Sequence, residues 1–433
     1  MTLYPHRIPF SVFTTLAEGN GGAAAVRHLV AAQHSKHVLL LKRVIDLAHS
    51  ARHDQAADAR RAYSLLAAIQ DRQPEAAAAV MLHPSVGAWA RQTVDALGSP
   101  QTLAEAEPGR MAALAAAAAV RSRLPCSIEL PGRDGEILLP SLGRAVVPAA
   151  DVRITADRAE VGGVQLPDDP SVDTAGWQAL RQLSVTTRGK RLHLLIDDLD
   201  PYRAPGAANM AGRLSAADVA HWQAVLDSAW DLLVRHHPTV AEEVAAMIRV
   251  LTPLIPPPGG HVSATSGETF GSVALSTPPD ACSLAVTLAH EVQHAKMCAL
   301  LDMVPLTRAD DGRRFYAPWR EDPRPISGLL QGAYAFLGVA GFWRRQSDLD
   351  DWEAALAEFA RWRDAVRLVV NTLVISGQLS HAGELFAAGM DRTLRQWEAE
   401  PVPAGALARA RQAATEHRER WRRRNGEIPL RVG

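Results

Sequence analysis

The sequence predicts a mainly helical α+β protein: many helices, a small β-rich insertion, and an edge strand beside a metal-binding helix. Three observations predict it. Apolar residues recur at helical spacing through both ends of the chain, short alternating runs cut by Gly, Pro and Asp fill the middle, and His290-Glu291-Val292-Gln293-His294 sits inside an apolar helical stretch. With 433 residues the chain is long enough to bury a large core. The expected division is 1–122 helical, 123–205 β-rich, and 206–433 helical and metal-binding.

Composition narrows the class. The 47% hydrophobic and 21% charged residues are those of a folded soluble protein, and 46 Lys+Arg against 47 Asp+Glu leave a formal charge of −1. Nothing global therefore argues for nucleic acid or a membrane surface as partner. The N-terminus lacks a basic region followed by a continuous apolar core, which makes it a poor signal peptide, and no run reaches the length of apolar residues that a membrane span needs. Cys126, Cys282 and Cys298 are odd in number and widely spaced. They argue against a disulfide framework and for a reducing cytoplasm. Cys282 and Cys298 flank the histidine motif and read as small buried apolar residues, since nothing gives them zinc-finger spacing.

In chain order, residues 22–120 read as a string of helices separated by Gly-Ser-Pro and Glu-Pro-Gly breaks. His28, His34 and His37 share the first long one, but without an acidic companion their expected role is solvation or packing. After Pro125 the pattern becomes a meander of short strands, which the run around 191–196 should close. Asp197, Asp198 and Asp200 follow it; their spacing does not match a calcium loop, and a charged strand end is the expectation. Helices resume at Ser215, where Val219, Trp222, Leu226, Trp230 and Leu233 share a stripe, and continue through 240–254 to a Pro-Gly stop. Residues 261–280 alternate Ser, Thr and Gly with Val, Ala and Leu, the mark of an edge strand or hairpin where a peptide could pair.

The metal helix comes next. Leu284, Leu288, Val292, Ala295 and Ala299 repeat at helical spacing, and Asp280 or Ser283 is placed to cap the start. Positions i and i+4 lie one turn apart on one face, so His290 and His294 can close on one divalent metal with Glu291 beside them. The alternative is a pair of partly buried histidines with ordinary partners. Beyond a charged, aromatic loop lies an apolar helix, 326–345, then further helices and a basic C-terminal run that reads as a solvated face.

The missing third ligand decides the chemistry. In zinc peptidases of this pattern a Glu on the next helix completes the site, Glu291 acts as general base, and metal-bound water attacks the peptide carbonyl. Here that helix offers no Glu: its long polar side chain before the end is Gln331, Glu321 precedes it in the loop, and no His follows His294 until His381. The candidates for third ligand are Gln331, Glu291 and Glu321, in that order. The other use of such a site is a non-haem Fe(II) oxygenase, which needs a basic residue, ideally Arg, for the distal carboxylate of a 2-oxoacid. Arg320 and Arg324 stand in the loop between the two helices.

The run SATSGETFGSVALSTPPD, then LAHEVQHAKMCALLDMVPL, then FYAPWREDPRPISGLLQGAYAFLGVAGFW resembles the actinobacterial H-E-x-x-H motif-containing proteins, associated with 2-oxoglutarate-dependent peptide β-hydroxylases of ribosomal peptide natural-product pathways. The match covers about 263–343, with weaker similarity at 199–203 and in the N-terminal LAEGNGG. The resemblance implies Fe(II) on His290 and His294, 2-oxoglutarate as co-substrate, and hydroxylation of a β-carbon in a ribosomal precursor peptide. Members of the group often carry a histidine near the position of Phe336 here. Zinc-dependent peptide hydrolysis and a catalytically silent peptide-binding scaffold are the alternatives.

Overall fold

The computed structural model describes residues 6–130, 135–147, 151–155, 158–349 and 352–426. The first five residues of the N-terminal segment, and the 131–134 and 148–150 pieces of the expected meander, lie outside the described residues. The chain begins with six helices: α1 (Phe10–Ala17), α2 (Gly22–Ser50), α3 (Ala56–Arg72), α4 (Pro74–Met81), α5 (Pro84–Leu97) and α6 (Met111–Ser122). Prolines open α4 and α5 at the first helical position, where the missing N–H costs nothing.

Nine strands follow: β1 (Cys126–Glu129), β2 (Glu136–Leu139), β3 (Gly143–Val146), β4 (Asp151–Ile154), β5 (Ala159–Val161), β6 (Val164–Gln165), β7 (Trp177–Ala179), β8 (Arg181–Thr187) and β9 (Lys190–Ile196). The first seven build two small antiparallel sheets, ordered β1-β4-β5-β6 and β2-β3-β7. The remaining elements are α7 (Ala216–His236), α8 (Pro238–Met247), β10 (Val250–Leu254), β11 (Ser263–Ala264), β12 (Ser272–Ser276), α9 (Ala281–Leu301), α10 (Ile326–Gln346), α11 (Trp352–Ile375), α12 (His381–Glu398) and α13 (Ala404–Asn425). The fold is mainly α with small sheets, as the sequence predicts.

Two expectations are corrected. The run at 191–196 does not close the meander: β9 forms a hairpin with β8 and pairs in parallel with β10, in a five-stranded sheet ordered β11-β12-β10-β9-β8. Its two-residue turn, Arg188-Gly189, has positive φ at both positions (48° and 76°), the handedness that matches strand twist. The stretch 240–254 is not one helix. It leaves α8 at Met247 and becomes β10, all five residues of which are buried, so no polar alternation marks it as a strand.

Two apolar clusters form the core. One gathers β8–β10 and β12 with α7–α12; the other gathers α3–α6 with the two small sheets. Helix α2 feeds both, through Ala25, Val26 and Leu29 at one end and Leu41, Val44 and Ala48 at the other. By length and composition α10 could cross a membrane, but 61% of its apolar window is buried against the protein, as in a core helix.

Candidate metal centre on α9

Helix α9 starts where Asp280 accepts a hydrogen bond from the Ser283 backbone N–H at 2.8 Å, the expected cap. Leu284, Leu288, Val292, Ala295 and Ala299 are all buried, which locks the rotation of the helix and sends His290 and His294 to the same side. The two imidazoles lie with ring centroids 4.8 Å apart at 74°. Burial drives both toward the neutral form, lowering each pKa to about 4; for His294 the neighbouring His290 adds to this and Glu291 opposes it. Neutral imidazole is the metal-binding form.

Glu291 is almost fully buried. Ser263 of the edge strand β11 donates to its Oε1 at 2.6 Å, the same oxygen lies 3.9 Å from His290 Nε2, and Oε2 is buried without a hydrogen-bond partner. The expected edge strand therefore does stand beside the metal helix, and it holds the motif's acid by one side chain.

Helix α10 runs antiparallel to α9. The contacts give the register: Gly338 packs on Ala289 and Gln293, Phe336 on His290, and Tyr334 beside Lys296. A Cβ at Gly338 would lie 2.6 Å from Gln293 Cγ and 3.0 Å from the Ala289 carbonyl, so glycine there sets the close approach of the two helices. The residue facing His290 is Phe336, its ring centroid 4.9 Å from the imidazole at 73°. Trp319 stacks on one side of Phe336 (4.9 Å) and Trp362 on the other (4.2 Å).

The other expected residues disperse. Gln331 is five positions before Phe336, about 7.5 Å along the axis at 1.5 Å per residue, and the antiparallel register carries it past Lys296, away from the pair. Glu321 is exposed, taking Arg424 and the Asn425 side chain of α13 as partners. Arg320 is exposed and paired with Asp322 at 2.8 Å. Arg324 is half-buried, also reaches Asp322 (3.1 Å), and keeps a buried Nε without a partner. Only Glu291 of the three candidate third ligands is adjacent to the histidines, through the 3.9 Å approach to His290. No disulfide joins the three cysteines, and Cys282 and Cys298 are partly exposed rather than buried as the sequence suggests.

Sequence reasoning missed the support behind the motif. Lys296 is 1% exposed and donates to both carboxylate oxygens of the equally buried Glu243 on α8, at 2.8 and 2.9 Å. It also reaches the carbonyls of Gly19 and Asn20 (3.4 and 3.3 Å), while Gln293 donates to Gly19 at 2.9 Å and Glu243 accepts from Gly22 N–H at 3.0 Å. The N-terminal GNGG segment is thus bound to the back of α9. A lysine on the apolar side of a core helix was the available signal. The acids Asp197, Asp198 and Asp200 do stand at the end of a strand, β9, but they are buried, with Asp198 paired to Arg181 and Arg213.

No family model matches this chain, and no curated protein does, so its function is argued from its own residues.

Proposed function

We propose that the chain is a non-haem iron enzyme that hydroxylates a β-carbon of a ribosomally made peptide, with 2-oxoglutarate as co-substrate. The observation that carries this reading is a pair of neutral, partly accessible imidazoles one turn apart with no acidic ligand from the following helix. That donor set fits a divalent metal with several positions left for small ligands, and fits a His₂Glu peptidase zinc poorly. When bound, iron with 2-oxoglutarate would supply the oxygen activation that C–H hydroxylation needs. His290 and His294 would hold it.

The chain's own contribution is positioning and exclusion of water. Ser263 fixes Glu291 beside His290, and Phe336, packed on Trp319 and Trp362, sets an aromatic wall edge-to-face against His290. Strand β11 ends the five-stranded sheet and offers backbone groups to an extended peptide. Of the two candidate arginines for the 2-oxoglutarate carboxylate, Arg324 is the less exposed, and both are paired with Asp322. The lack of a disulfide among the three cysteines suits a reducing compartment such as the cytoplasm. A second reading, a catalytically silent peptide-binding scaffold, draws support from Phe336, which fills the place where a third ligand would stand.

The test is turnover of 2-oxoglutarate to succinate by protein loaded anaerobically with Fe(II) and then given oxygen. His290→Ala and His294→Ala should each abolish it, and Arg324→Leu should weaken 2-oxoglutarate binding by roughly 2–5 kcal/mol, the cost of stripping a charge of its partner. Peptide cleavage with zinc and no succinate would put the peptidase in its place. Neither succinate nor bound metal would leave the scaffold.

A further inference from the structure

A second cluster of ligand-type side chains lies outside α9, on residues that share no contact with His290 or His294 among those described. His83, the residue before α5, comes together with Asp197 and Asp200, which follow β9; none of the three is more than 2% exposed. One ligand atom from each lies within 4.8 Å of the others.

The hydrogen bonds fix the protons. Ser85 Oγ donates its one proton to Asp200 Oδ2 at 2.7 Å, so at its 2.8 Å contact with His83 Nδ1 it must accept. A neutral His83 then carries its proton on Nδ1 and turns Nε2 toward the acids. Asp197 uses Oδ1 to accept from the backbone N–H groups of Leu199 (3.2 Å) and Asp200 (2.9 Å). Its Oδ2 lies 3.9 Å from His83 Nε2, and both atoms are buried with no hydrogen-bond partner. Of the surrounding arginines, Arg110 pairs with Asp200 itself at 2.6 Å, Arg181 and Arg213 pair with Asp198, and Arg203 donates to the carbonyls of Asp200 and Ala211; none bonds His83 Nε2 or Asp197 Oδ2.

We propose that His83, Asp197 and Asp200 form a buried three-ligand site for a divalent transition-metal ion of the zinc type, a fourth position being left to a water. Ligand atoms about 2.1 Å from such an ion stand about 3.4 Å apart at the tetrahedral angle and about 4.2 Å apart when opposed, so 3.9 Å is within reach. Ser85 Oγ, itself held by Asp200 Oδ2, takes the other ring nitrogen of His83 and so fixes the orientation of the imidazole. Asp200 already accepts through Oδ2 from Ser85 and Arg110 and through Oδ1 from Tyr202 N–H, so it is the weakest of the three ligands. His83 belongs to the N-terminal helices and Asp197 ends a strand of the central sheet. The ion would staple the two apolar clusters together.

The test uses full-length protein carrying His290→Ala and His294→Ala, which removes the α9 site and separates this proposal from the preceding one. Titrated with Co²⁺ alone, it should bind one equivalent and show the visible d–d bands of a tetrahedral N/O site. Added Asp197→Asn, isosteric and therefore safe for folding, should abolish the bands, as should His83→Gln. EDTA should lower the thermal midpoint of the parent and leave that of Asp197→Asn unchanged. Absence of Co²⁺ binding, or binding equal in all variants, would overturn the proposal, and so would an EDTA-insensitive parent that Asp197→Asn merely stabilises. That last result would assign the gap to a buried water or a proton.

Discussion

Replacing Lys296 by Met tests what anchors α9. Methionine keeps the aliphatic stem and most of the volume while deleting the ammonium, so the packing loss is small and the electrostatic loss dominates. Glu243, 1% exposed, would be left with only the Gly22 N–H at 3.0 Å and no counter-charge. Breaking one arm of a buried pair costs about 3–5 kcal/mol, because the survivor stays desolvated and uncompensated. Two weaker contacts to the Gly19 and Asn20 carbonyls go as well, so the upper half of that range is expected. Removing both charges in Lys296→Met/Glu243→Leu should recover about half, the remainder being the Gly22 N–H left without its acceptor. Urea unfolding followed by tryptophan fluorescence reads both. A single variant within about 1 kcal/mol of the parent, or a double variant no better than the single, would refute this view of the pair.

Two more outcomes follow from other sites. His237 is buried against Phe342 (ring centroids 4.2 Å), and burial lowers its pKa to about 4 although Gln346 at 3.3 Å opposes the shift. Because the folded protein prefers the neutral ring, its contribution is complete above about pH 6.5 and fades as pH falls toward 4, by up to about 3 kcal/mol. His237→Phe should remove that share of the slope, read as the difference between the urea midpoints of the two proteins at pH 7 and pH 4.5. Phe336→His should place a third imidazole against His290 and tighten divalent-metal binding roughly 100-fold, one ligand's share of a full zinc site. Unchanged affinity by competition with a metal indicator would mean that position 336 does not face the bound ion.

What could be read from the sequence follows from range. The 3.6-residue repeat of Leu284, Leu288, Val292, Ala295 and Ala299 is local, and it fixed both the existence of α9 and the shared face of His290 and His294. Strand β10 was hidden because Val250, Leu251, Thr252, Pro253 and Leu254 are buried on both faces, so the alternation that reveals a half-buried strand is absent. The third-ligand question went unresolved because it depends on how α10 is turned. Gln331 and Phe336 differ by five residues, about 140° around the helix, and only packing at Gly338 and Tyr334 decides which one meets His290. His83 and Asp197 are distant in sequence, and no local pattern joins them.

The two histidine clusters differ in the property that separates working metal sites from structural ones. His290 keeps 20% of its side chain accessible and lacks a third ligand from α10, so positions on a bound ion remain for water, co-substrate or peptide. The His83 side chain is 2% accessible and that of Asp197 1%, and Asp200 is held by Ser85, Arg110 and Tyr202. An ion there would be enclosed by the core, so its main effect would be on folding stability. Chemistry, if the chain performs any through a metal, is therefore expected on the α9 side, where Glu291 and the aromatic wall of Trp319, Phe336 and Trp362 stand. Loss of metal at His83 should then reduce stability first, and reduce turnover only as the sheet that carries β11 and Ser263 loosens.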